Sequence, residues 1–355
     1  MRLFIYEMAS AGGLGEASAA LRGEGWAMLG ALVEDFMQVP GVEVVTLLDT
    51  GAERALGHVC HKTDSTKERE AFRAAARDAD LTLVVAPEFD DLLAGRSAEA
   101  LANGGRLLGS APDRIRCVAD KANLACVLQE AGVRTPPIVA LLRPGDEDRL
   151  DPDPLTYPLV CKPRFGAGCL GLTRIDGAAH LARAVRASRS AAGAADLLLQ
   201  PLISGCAASA AFLVGDGAAI PLRAGRQSVI GFEPCHGHGI AYRGGEAPLP
   251  APLEERALRL ATRALSAFPN LRGYAGVDLV LGSAPDGDED HVIEINPRVT
   301  TAYVGLRRLC RDNIAVAWLN LTRGMPVAPR WRPGRVRFTS DGAIESIPET
   351  ATCKI

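Results

Sequence analysis

The stretch VIEINPRVT, residues 292–300, decides how this chain is interpreted. Its apolar residues are typical of a buried β-strand: Val292, Ile293, Ile295 and Val299. Polar side chains stand at every second position of the same run: Glu294, Asn296 and Arg298. Because side chains alternate along a strand, these three polar groups share one face of a sheet. The run therefore predicts a strand that presents a carboxylate, an amide and a guanidinium side by side.

A second strand, GYAGVDLVL at 273–281, precedes this run, and the loop between them is polar and contains glycine. That pattern predicts an antiparallel hairpin. With a turn centred near Asp286, Asp278 faces Glu294 and Gly276 faces Asn296. Opposed residues have Cβ atoms about 4.5–5.5 Å apart. Two carboxylates this close repel each other unless another group neutralises them.

A shared divalent cation is one such group. Oxygen atoms of Asp278, Glu294 and Asn296 are hard ligands that suit Mg²⁺, and Arg298 beside them has the geometry to bind phosphate or acyl-phosphate oxygens. The alternative is a solvated strand face on which Arg298 pairs with Glu294. Spacing alone does not choose between the two interpretations.

A second constellation lies in LVCKPRFGAGCLG, residues 159–171. A predicted strand delivers Lys162 to a loop with three glycines: Gly166, Gly168 and Gly171. Glycines let backbone N–H groups approach a phosphate, and lysine supplies a point charge. Lys121, which follows Asp120 at the start of a predicted helix, is a second phosphate candidate. A plain turn is the alternative, and the sequence is not the Walker pattern.

The run LLLQPLISG, residues 197–205, predicts a further strand. Backbone groups of Gln200, Pro201 and Leu202 could read the edge of an adenine base beside an apolar slot. A strand of the core is the alternative interpretation.

Strand and helix patterns alternate at the N-terminus: strands at 3–6, 42–48 and 81–86, helices at 24–38 and 66–79. This order predicts a parallel α/β sheet, and ligands of such sheets bind beyond the carboxyl ends of the strands. Glu7 and Glu88 lie at such ends. Further along, the sequence predicts one helix over 113–131, capped by Gly132, and a smaller α+β module from about 135. The Pro- and Arg-rich tail from about 325 is predicted to wrap the surface.

The amino-acid composition of the chain restricts the classes of molecule that it is expected to bind. Hydrophobic residues make up 48%, charged residues 23%, and the net charge is −3, which gives no electrostatic basis for binding nucleic acid or an anionic membrane. Nine scattered cysteines without a CxxC pair indicate a reducing compartment. No apolar run approaches the ~18 residues of a membrane span, so a cytoplasmic protein is expected.

The long loop 231–248 contains Cys235, His236 and His238, which could suggest a soft-metal site together with Cys60 and His61. Zinc sites usually have four ligands at defined spacing. A glycine-rich loop without periodicity is more typical of a functional segment, and we interpret it as a substrate cover.

Five short motifs, in this order along the chain, resemble the ATP-grasp superfamily: DK at 120–121, KPRFGAG at 162–168, QPLISG at 200–205, GVD at 276–278 and EINPR at 294–298. The resemblance covers roughly residues 110–325. It implies an α/β fold in which two α+β subdomains grip ATP, preceded by a Rossmann-like α/β domain. The expected domains are 1–112, the small subdomain 113–203 with phosphate loop 162–171, the large subdomain 204–325, and a tail 326–355.

The resemblance also implies roles for individual residues. Lys121 and Lys162 match nucleotide-binding lysines, and residues 166–171 match the loop that closes over the triphosphate. Asp278, Glu294 and Asn296 match ligands of Mg²⁺ or Mn²⁺, with two ions expected, and Arg298 matches the arginine beside the transferred phosphoryl group. Three positions depart from the family pattern: Cys169 where serine is common, Ala207 in place of a ribose-binding glutamate, and Gly276 in place of an arginine.

Longer phrases resemble the tyramine–glutamate ligase branch: FIYEMASAGG, EGWAML, APEFDDLL, GRQSV, YRGGEAP and EINPRVTTAYVGL. This branch belongs to the biosynthesis of one-carbon furan cofactors. The resemblance implies an ADP-forming ligase that joins a carboxylate, such as glutamate, to a small tyramine- or tyrosine-like amine through an acyl-phosphate. Another amine, or an ATP sensor without turnover, remains an alternative, and a homodimer is compatible with the family.

Four further residues are hypotheses for substrate binding. Glu7 and Glu88, at strand ends facing the cleft, could hold the amine. Arg226 and Gln227, expected in a loop after a strand, could bind the donor carboxylate.

Overall fold

The computed structural model describes residues 1–15, 19–52, 55–147, 150–153, 155–215, 217–231 and 240–347. The N-terminal part forms a four-stranded parallel sheet in the order β3-β2-β1-β4. Its strands are β1 (Arg2–Glu7), β2 (Glu43–Asp49), β3 (Val59–Thr63) and β4 (Leu81–Val85), and its helices are α1 (Ala19–Met37), α2 (Glu68–Asp78) and α3 (Leu92–Ala102). The predicted parallel α/β sheet is confirmed. The sequence did not predict β3 or α3.

The predicted single helix over 113–131 is wrong, because the chain breaks at Asp120. Two helices lie there, α4 (Pro112–Ala119) and α5 (Lys121–Glu130). The Asp120 side chain accepts hydrogen bonds from the backbone of Ala122 and Asn123, so it caps α5. Arg164 holds the same carboxylate at 2.6 and 2.7 Å. This cap makes Lys121 the first residue of α5. Gly132 follows the helix with φ +67, as expected for a cap.

A second sheet of four antiparallel strands has the order β5-β8-β6-β7. Its strands are β5 (Ala140–Leu142), β6 (Leu159–Pro163), β7 (Thr173–Ile175) and β8 (Leu197–Pro201). Helix α6 (Ala178–Ala192) covers one face, and Leu181 and Val185 pack there on Leu159 and Leu199. The sheet brings Lys162 and Gln200 to adjacent strands.

The third sheet has seven antiparallel strands in the order β13-β12-β9-β10-β11-β14-β15. The strands are β9 (Cys206–Gly215), β10 (Ala218–Ile230), β11 (Ala241–Ala247), β12 (Gly273–Leu281), β13 (His291–Asn296), β14 (Arg335–Thr339) and β15 (Ile344–Ile347). Helix α7 (Ala251–Ser266) packs on the face formed by alternate apolar residues such as Val277 and Ile295. The tail is not a surface wrap as predicted, because β14 pairs with β11 and extends this sheet.

The N-terminal sheet and the seven-stranded sheet are joined through one hydrophobic core. Helices α8 (Ala302–Leu309) and α9 (Ile314–Thr322) pack against α1 there. Buried Asp35 of α1 accepts hydrogen bonds from Tyr303 at 2.7 Å and from Arg307 at 2.6 Å. Helix α1 is therefore fixed against the sheet that carries the predicted metal ligands. Among the described residues, every helix falls short of the length or apolar character that a bilayer crossing requires.

Candidate active site

The β12–β13 hairpin has the predicted register: Asp278 lies opposite Glu294, and Gly276 opposite Asn296. Asn296 Nδ2 donates to Asp278 Oδ2 at 3.1 Å, and Gln227 Nε2 from β10 donates to Asp278 Oδ1 at 2.9 Å. The amide groups thus orient the carboxylate from both sides. A strand-face cluster of two carboxylates and one amide results.

The two opposed carboxylates have opposite pKa shifts. Burial raises the pKa of Asp278 above its ordinary value, and the nearby charge of Glu294 raises it further. Burial alone would also raise the pKa of Glu294, but the charges of Lys121 and Lys162 outweigh it and hold that pKa below its ordinary value. Lys121 Nζ lies 3.2 Å from Glu294 Oε2. Without a further cation, only one of the two carboxylates is electrostatically satisfied.

A divalent cation fits this donor set. Two carboxylates and an amide oxygen are hard ligands, and the unfavourable second charge at Asp278 is what a cation would relieve. The described residues contain no group of three or more His, Cys, Asp or Glu side chains arranged for a metal. The alternative pairing of Arg298 with Glu294 does not occur, since Arg298 bonds to Glu88 instead.

The two lysines reach the cluster from α5 and β6. Lys121 Nζ donates to the Gly166 carbonyl at 3.0 Å, which ties α5 to the phosphate loop. Lys162 is 7% exposed, and burial lowers its pKa to about 8, although the charge of Glu294 opposes the shift. An anion bound beside Lys162 would favour its charged form.

The predicted phosphate loop connects β6 and β7 through a tight bend. Gly168, Cys169 and Gly171 all have left-handed backbone conformations, with φ values of +61, +61 and +73. A Cβ on Gly171 would lie 2.9 Å from Pro163 Cγ, and one on Gly168 would lie 3.1 Å from Leu21 Cδ2 of α1. The glycines are therefore required by backbone conformation and by close packing.

A cavity of about 470 Å³ lies between the two antiparallel sheets and α1. Twelve predicted site residues line it: Lys121, Lys162, Gly166, Gly168, Gln200, Pro201, Leu202, Gln227, Asp278, Glu294, Asn296 and Arg298. The remaining four do not appear among its described lining residues: Gly171, Glu7, Glu88 and Arg226. The constellations that the sequence predicted separately thus converge on one cavity.

On the side of the cavity formed by β8, the side-chain oxygen of Gln200 lacks a hydrogen-bond partner among the described residues. Gln200 Nε2 donates to the Pro136 carbonyl at 2.7 Å, whereas buried Gln200 Oε1 has no hydrogen-bond partner among the described residues. An acceptor in this state fits a ligand that brings an N–H group. The Leu202 N–H already donates to the Pro158 carbonyl at 3.0 Å, so it does not serve as a free donor to a base edge here.

Arg298, which follows β13, and Glu88, which follows β4, form a buried bidentate ion pair. Arg298 Nε and Nη2 donate to the two carboxylate oxygens at 2.8 and 3.1 Å. Burial would lower the pKa of Arg298, but the charge of Glu88 outweighs it and raises the pKa. Both oxygens of Glu88 are therefore engaged by the guanidinium that the family resemblance assigns to the transferred phosphoryl group.

Glu7 is also engaged within the protein. Its carboxylate is 3% exposed and accepts hydrogen bonds from the Ala9 N–H, the Ser10 N–H and the Ser10 hydroxyl at 2.6–3.0 Å. A Cβ on Gly25 of α1 would lie 2.4 Å from this carboxylate, so the helix packs directly on it. In this structure, Glu7 fixes the turn after β1.

The expectation that Arg226 and Gln227 lie in a loop is wrong, because both belong to β10. Neighbouring residues of a strand point to opposite faces. Gln227 reaches Asp278 and lines the cavity, so Arg226 is directed to the other face. Part of the predicted cover loop is likewise a strand, β11, while Cys235, His236 and His238 lie outside the described residues.

Sequence reasoning missed several polar residues of the cavity, among them Tyr242 and Glu24. Tyr242 of β11 lines it, and its hydroxyl accepts a hydrogen bond from Thr301 at 2.9 Å. Glu24 of α1 also lines it and has no hydrogen bond or ion pair within the described part of the chain. Burial raises the pKa of Glu24, and the charge of Arg298 opposes the shift. The only sequence signal for Glu24 was its place at the start of the phrase EGWAML.

Family models match most of this architecture. Residues 118–302 match the model described as ATP-grasp domain, and residues 42–115 match the one described as pre ATP-grasp 3 domain. The first match includes the two lysines, the phosphate loop and the β12–β13 hairpin.

Individual relatives are more distant. Tyramine–L-glutamate ligase of Methanocaldococcus fervens is 30% identical over 112 residues, which cover 32% of this chain and 34% of that protein. The aligned segment thus spans about a third of the curated relative. Among solved structures, a protein assigned to the ATP-grasp superfamily from Archaeoglobus fulgidus has a TM-score of 0.68 at 23% identity, covering 95% of this chain and 92% of its own. An L-amino acid ligase from Bacillus licheniformis has a TM-score of 0.68 at 19% identity, covering 95% and 79%.

Proposed function

The chain belongs to the ATP-grasp superfamily, and from that premise we propose that it is an ADP-forming ligase that joins a carboxylate to a primary amine. The observation that carries the proposal is the convergence of Asp278, Glu294 and Asn296 with two lysines and one arginine on a single cavity. Such an arrangement supports chemistry in which negative charge moves between phosphate oxygens.

In the proposed reaction, a carboxylate oxygen of the donor attacks the γ-phosphorus of ATP, and the bond to the bridging oxygen of ADP breaks. The amine nitrogen then attacks the acyl carbon, phosphate leaves, and the nitrogen loses a proton. The protein contributes position and charge rather than a covalent intermediate of its own.

Different residues would have different roles in this reaction. Asp278, Glu294 and Asn296 would hold Mg²⁺, one or two ions, which neutralises phosphate charge when bound. Lys121 and Lys162 would bind the nucleotide phosphates, together with backbone N–H groups of residues 166–171. Arg298 would stabilise the transferred phosphoryl group from a position fixed by Glu88.

The proposed substrate class rests on similarity to a known enzyme and not on contacts between this protein and a substrate. The 30% identity to a tyramine–L-glutamate ligase over about a third of the chain supports glutamate as donor and a tyramine- or tyrosine-like amine as acceptor. The same likeness supports a place in the biosynthesis of a one-carbon furan cofactor. Because one fold hosts different reactions, these substrates are a proposal that chemistry must test.

The test is to incubate the protein with Mg²⁺–ATP, glutamate and a panel of amines led by tyramine and tyrosine. ADP and product mass are measured together. We expect ADP and a product whose mass equals amine plus glutamate minus water. AMP in place of ADP would contradict the acyl-phosphate route, and ATP binding without any turnover would favour the alternative of an ATP sensor.

The matched control is Asp278→Asn, which keeps the side-chain volume and replaces one carboxylate of the predicted metal site with a neutral amide. Product and ADP should both disappear to the level of the blank. ADP formation by this variant at the rate of the unchanged enzyme would contradict the proposed role of Asp278 in the site.

A further inference from the structure

Three carboxylates of the N-terminal part lie close to the cavity, and they differ in what binds them. The Glu7 carboxylate is hydrogen-bonded to the turn after β1, and the Glu88 carboxylate is held by Arg298. Glu24 lines the cavity yet has no hydrogen-bond or ion-pair partner among the described residues. A partly buried carboxylate without a partner is unfavourable unless a ligand supplies one.

The packing of helix α1 against the phosphate loop sets the position of Glu24. Leu21 and Glu24 are three residues apart, so they lie on one face of α1. Leu21 Cδ2 lies against the Cα of Gly168, where an added Cβ would be 3.1 Å away. The face of α1 that contacts the phosphate loop therefore also presents Glu24 to the cavity. Asp35, further along α1, anchors the helix to Tyr303 and Arg307.

The charges around Glu24 indicate what kind of ligand it accepts. Two positive groups of the cavity are paired with protein carboxylates: Lys121 with Glu294, and Arg298 with Glu88. Arg298 is near enough to affect the pKa of Glu24 but does not bond to it. Glu24 thus lines the same cavity as Arg298, the residue proposed to contact the transferred phosphoryl group, and within the described part of the chain it has no bonded counter-charge where an amine must arrive to reach the acyl carbon.

We propose that Glu24 binds the amino group of the acceptor substrate, a primary amine, through a charge-assisted hydrogen bond inside the cavity. This inference rests on the proposed function. It replaces Glu7 and Glu88 as the amine-binding group, because both of those carboxylates have protein partners. It also makes α1, and not the ATP-binding sheets, the element that recognises the acceptor.

The test compares Glu24→Gln with the unchanged enzyme using two nucleophiles. The first is the amine from the panel that gives the highest turnover with the unchanged enzyme. The second is hydroxylamine, which is small and uncharged at neutral pH and traps an acyl-phosphate as a hydroxamate. We expect Glu24→Gln to raise the KM for the amine about 10- to 100-fold, the loss typical of one charge-assisted hydrogen bond. Hydroxamate formation and the KM for ATP should stay within about twofold of the unchanged enzyme.

Glu34→Gln is the matched control, because Glu34 lies on the same helix and pairs with Arg307 away from the cavity. This variant should leave the KM for the amine and the rate of hydroxamate formation unchanged. Normal hydroxamate formation by Glu24→Gln also shows that the variant is folded. A merely structural role of Glu24 would lower both reactions together and overturn the inference.

The outcomes separate this inference from the proposed function. If the unchanged enzyme forms ADP and hydroxamate but Glu24→Gln keeps the KM for the amine, Glu24 is not the amine-binding group and the ligase proposal stands. If the unchanged enzyme forms neither ADP nor hydroxamate with glutamate or any other carboxylate, the proposed function fails, and this inference fails with it.

Discussion

Two walls of the cavity differ in how their polar groups are satisfied. We call the β12–β13 side, with Asp278, Glu294 and Asn296, the hairpin wall, and the α1 side, with Glu24, the helix wall. On the hairpin wall, hydrogen bonds or an ion pair orient each polar side chain. On the helix wall, an apolar contact fixes the helix and the carboxylate has no partner among the described residues.

The difference separates what is common to ATP chemistry from what varies with the substrate. The hairpin wall is preorganised, so its charges need little rearrangement when phosphate charge shifts during reaction. The helix wall belongs to α1, which packs on the N-terminal sheet, and a substitution of Glu24 leaves the residues of the ATP site unchanged. We therefore expect variants of the hairpin wall to reduce every partial reaction and variants of the helix wall to affect only the acceptor.

The largest effect is expected from Asp278→Asn on the hairpin wall. The variant removes one of two opposed carboxylates that would hold the cation, and kcat for ADP formation should fall on the order of 10³-fold. Its thermal unfolding midpoint should not fall, because the buried like-charge repulsion with Glu294 is removed. Initial rates of ADP formation and a thermal melt measure the two quantities.

Asp288→Asn serves as the control, since Asp288 lies exposed in the loop of the same hairpin. It should keep full activity. A loss in Asp278→Asn that excess Mg²⁺ fully restores would mean that Asp278 affects only metal affinity. A normal rate at ordinary Mg²⁺ would remove Asp278 from the site.

An intermediate effect is expected from Glu88→Gln, because Glu88 links the N-terminal sheet to Arg298 of the hairpin. The change leaves a buried guanidinium without its counter-charge, which should lower the free energy of unfolding by about 2 kcal/mol. It should also reduce kcat for acyl-phosphate formation, measured as hydroxamate, while the KM for the amine stays unchanged. That last result separates a residue that positions Arg298 from one that binds the amine.

The same substitution at a surface pair provides the comparison. Glu43 pairs with Arg2 at 3.3 Å, and both side chains are more than a third exposed. Glu43→Gln should change the free energy of unfolding by about 0.5 kcal/mol or less. Equal effects at the two positions would indicate that burial of the Glu88–Arg298 pair contributes nothing.

The hairpin wall could be predicted from the sequence, including its register. Polar residues at alternate positions of two apolar runs, with a loop of defined length, leave one antiparallel pairing that buries Val277 and Ile295. The lysines and glycines of the phosphate loop were predicted as well, because their chemistry is local. The resemblance supplied their order along the chain.

The helix wall could not be predicted in this way. Apolar residues are distributed around α1, so periodicity gives no preferred face on which to place Glu24. Its place in the cavity results from docking α1 on elements more than 140 residues away along the chain, such as the phosphate loop. Strand β10 was missed for a local reason: Pro221 and Gly225 suggest turns, whereas Pro221 lies at an irregularity of the strand pairing that tolerates it.

The smallest effect is expected from moving the helix wall itself, and two glycines of α1 allow a matched test. A Cβ on Gly25 would lie 2.4 Å from the buried Glu7 carboxylate, whereas nothing lies within 4 Å of one on Gly30. Since alanine favours a helix by about 1 kcal/mol over glycine and overpacking costs about 1–3 kcal/mol, Gly25→Ala should be destabilised by about 1 kcal/mol net.

Gly30→Ala should instead be stabilised by about 0.5–1 kcal/mol, because only the helix propensity changes. Chemical denaturation measures both variants, and the KM values for amine and ATP show which wall has moved. If α1 recognises the acceptor, Gly25→Ala raises the KM for the amine more than the KM for ATP, because the displaced helix carries Glu24 itself but touches the phosphate loop only through Leu21. An equal rise in both KM values would mean that the two walls move as one body, and the division between a common ATP site and a separate acceptor wall would have to be abandoned.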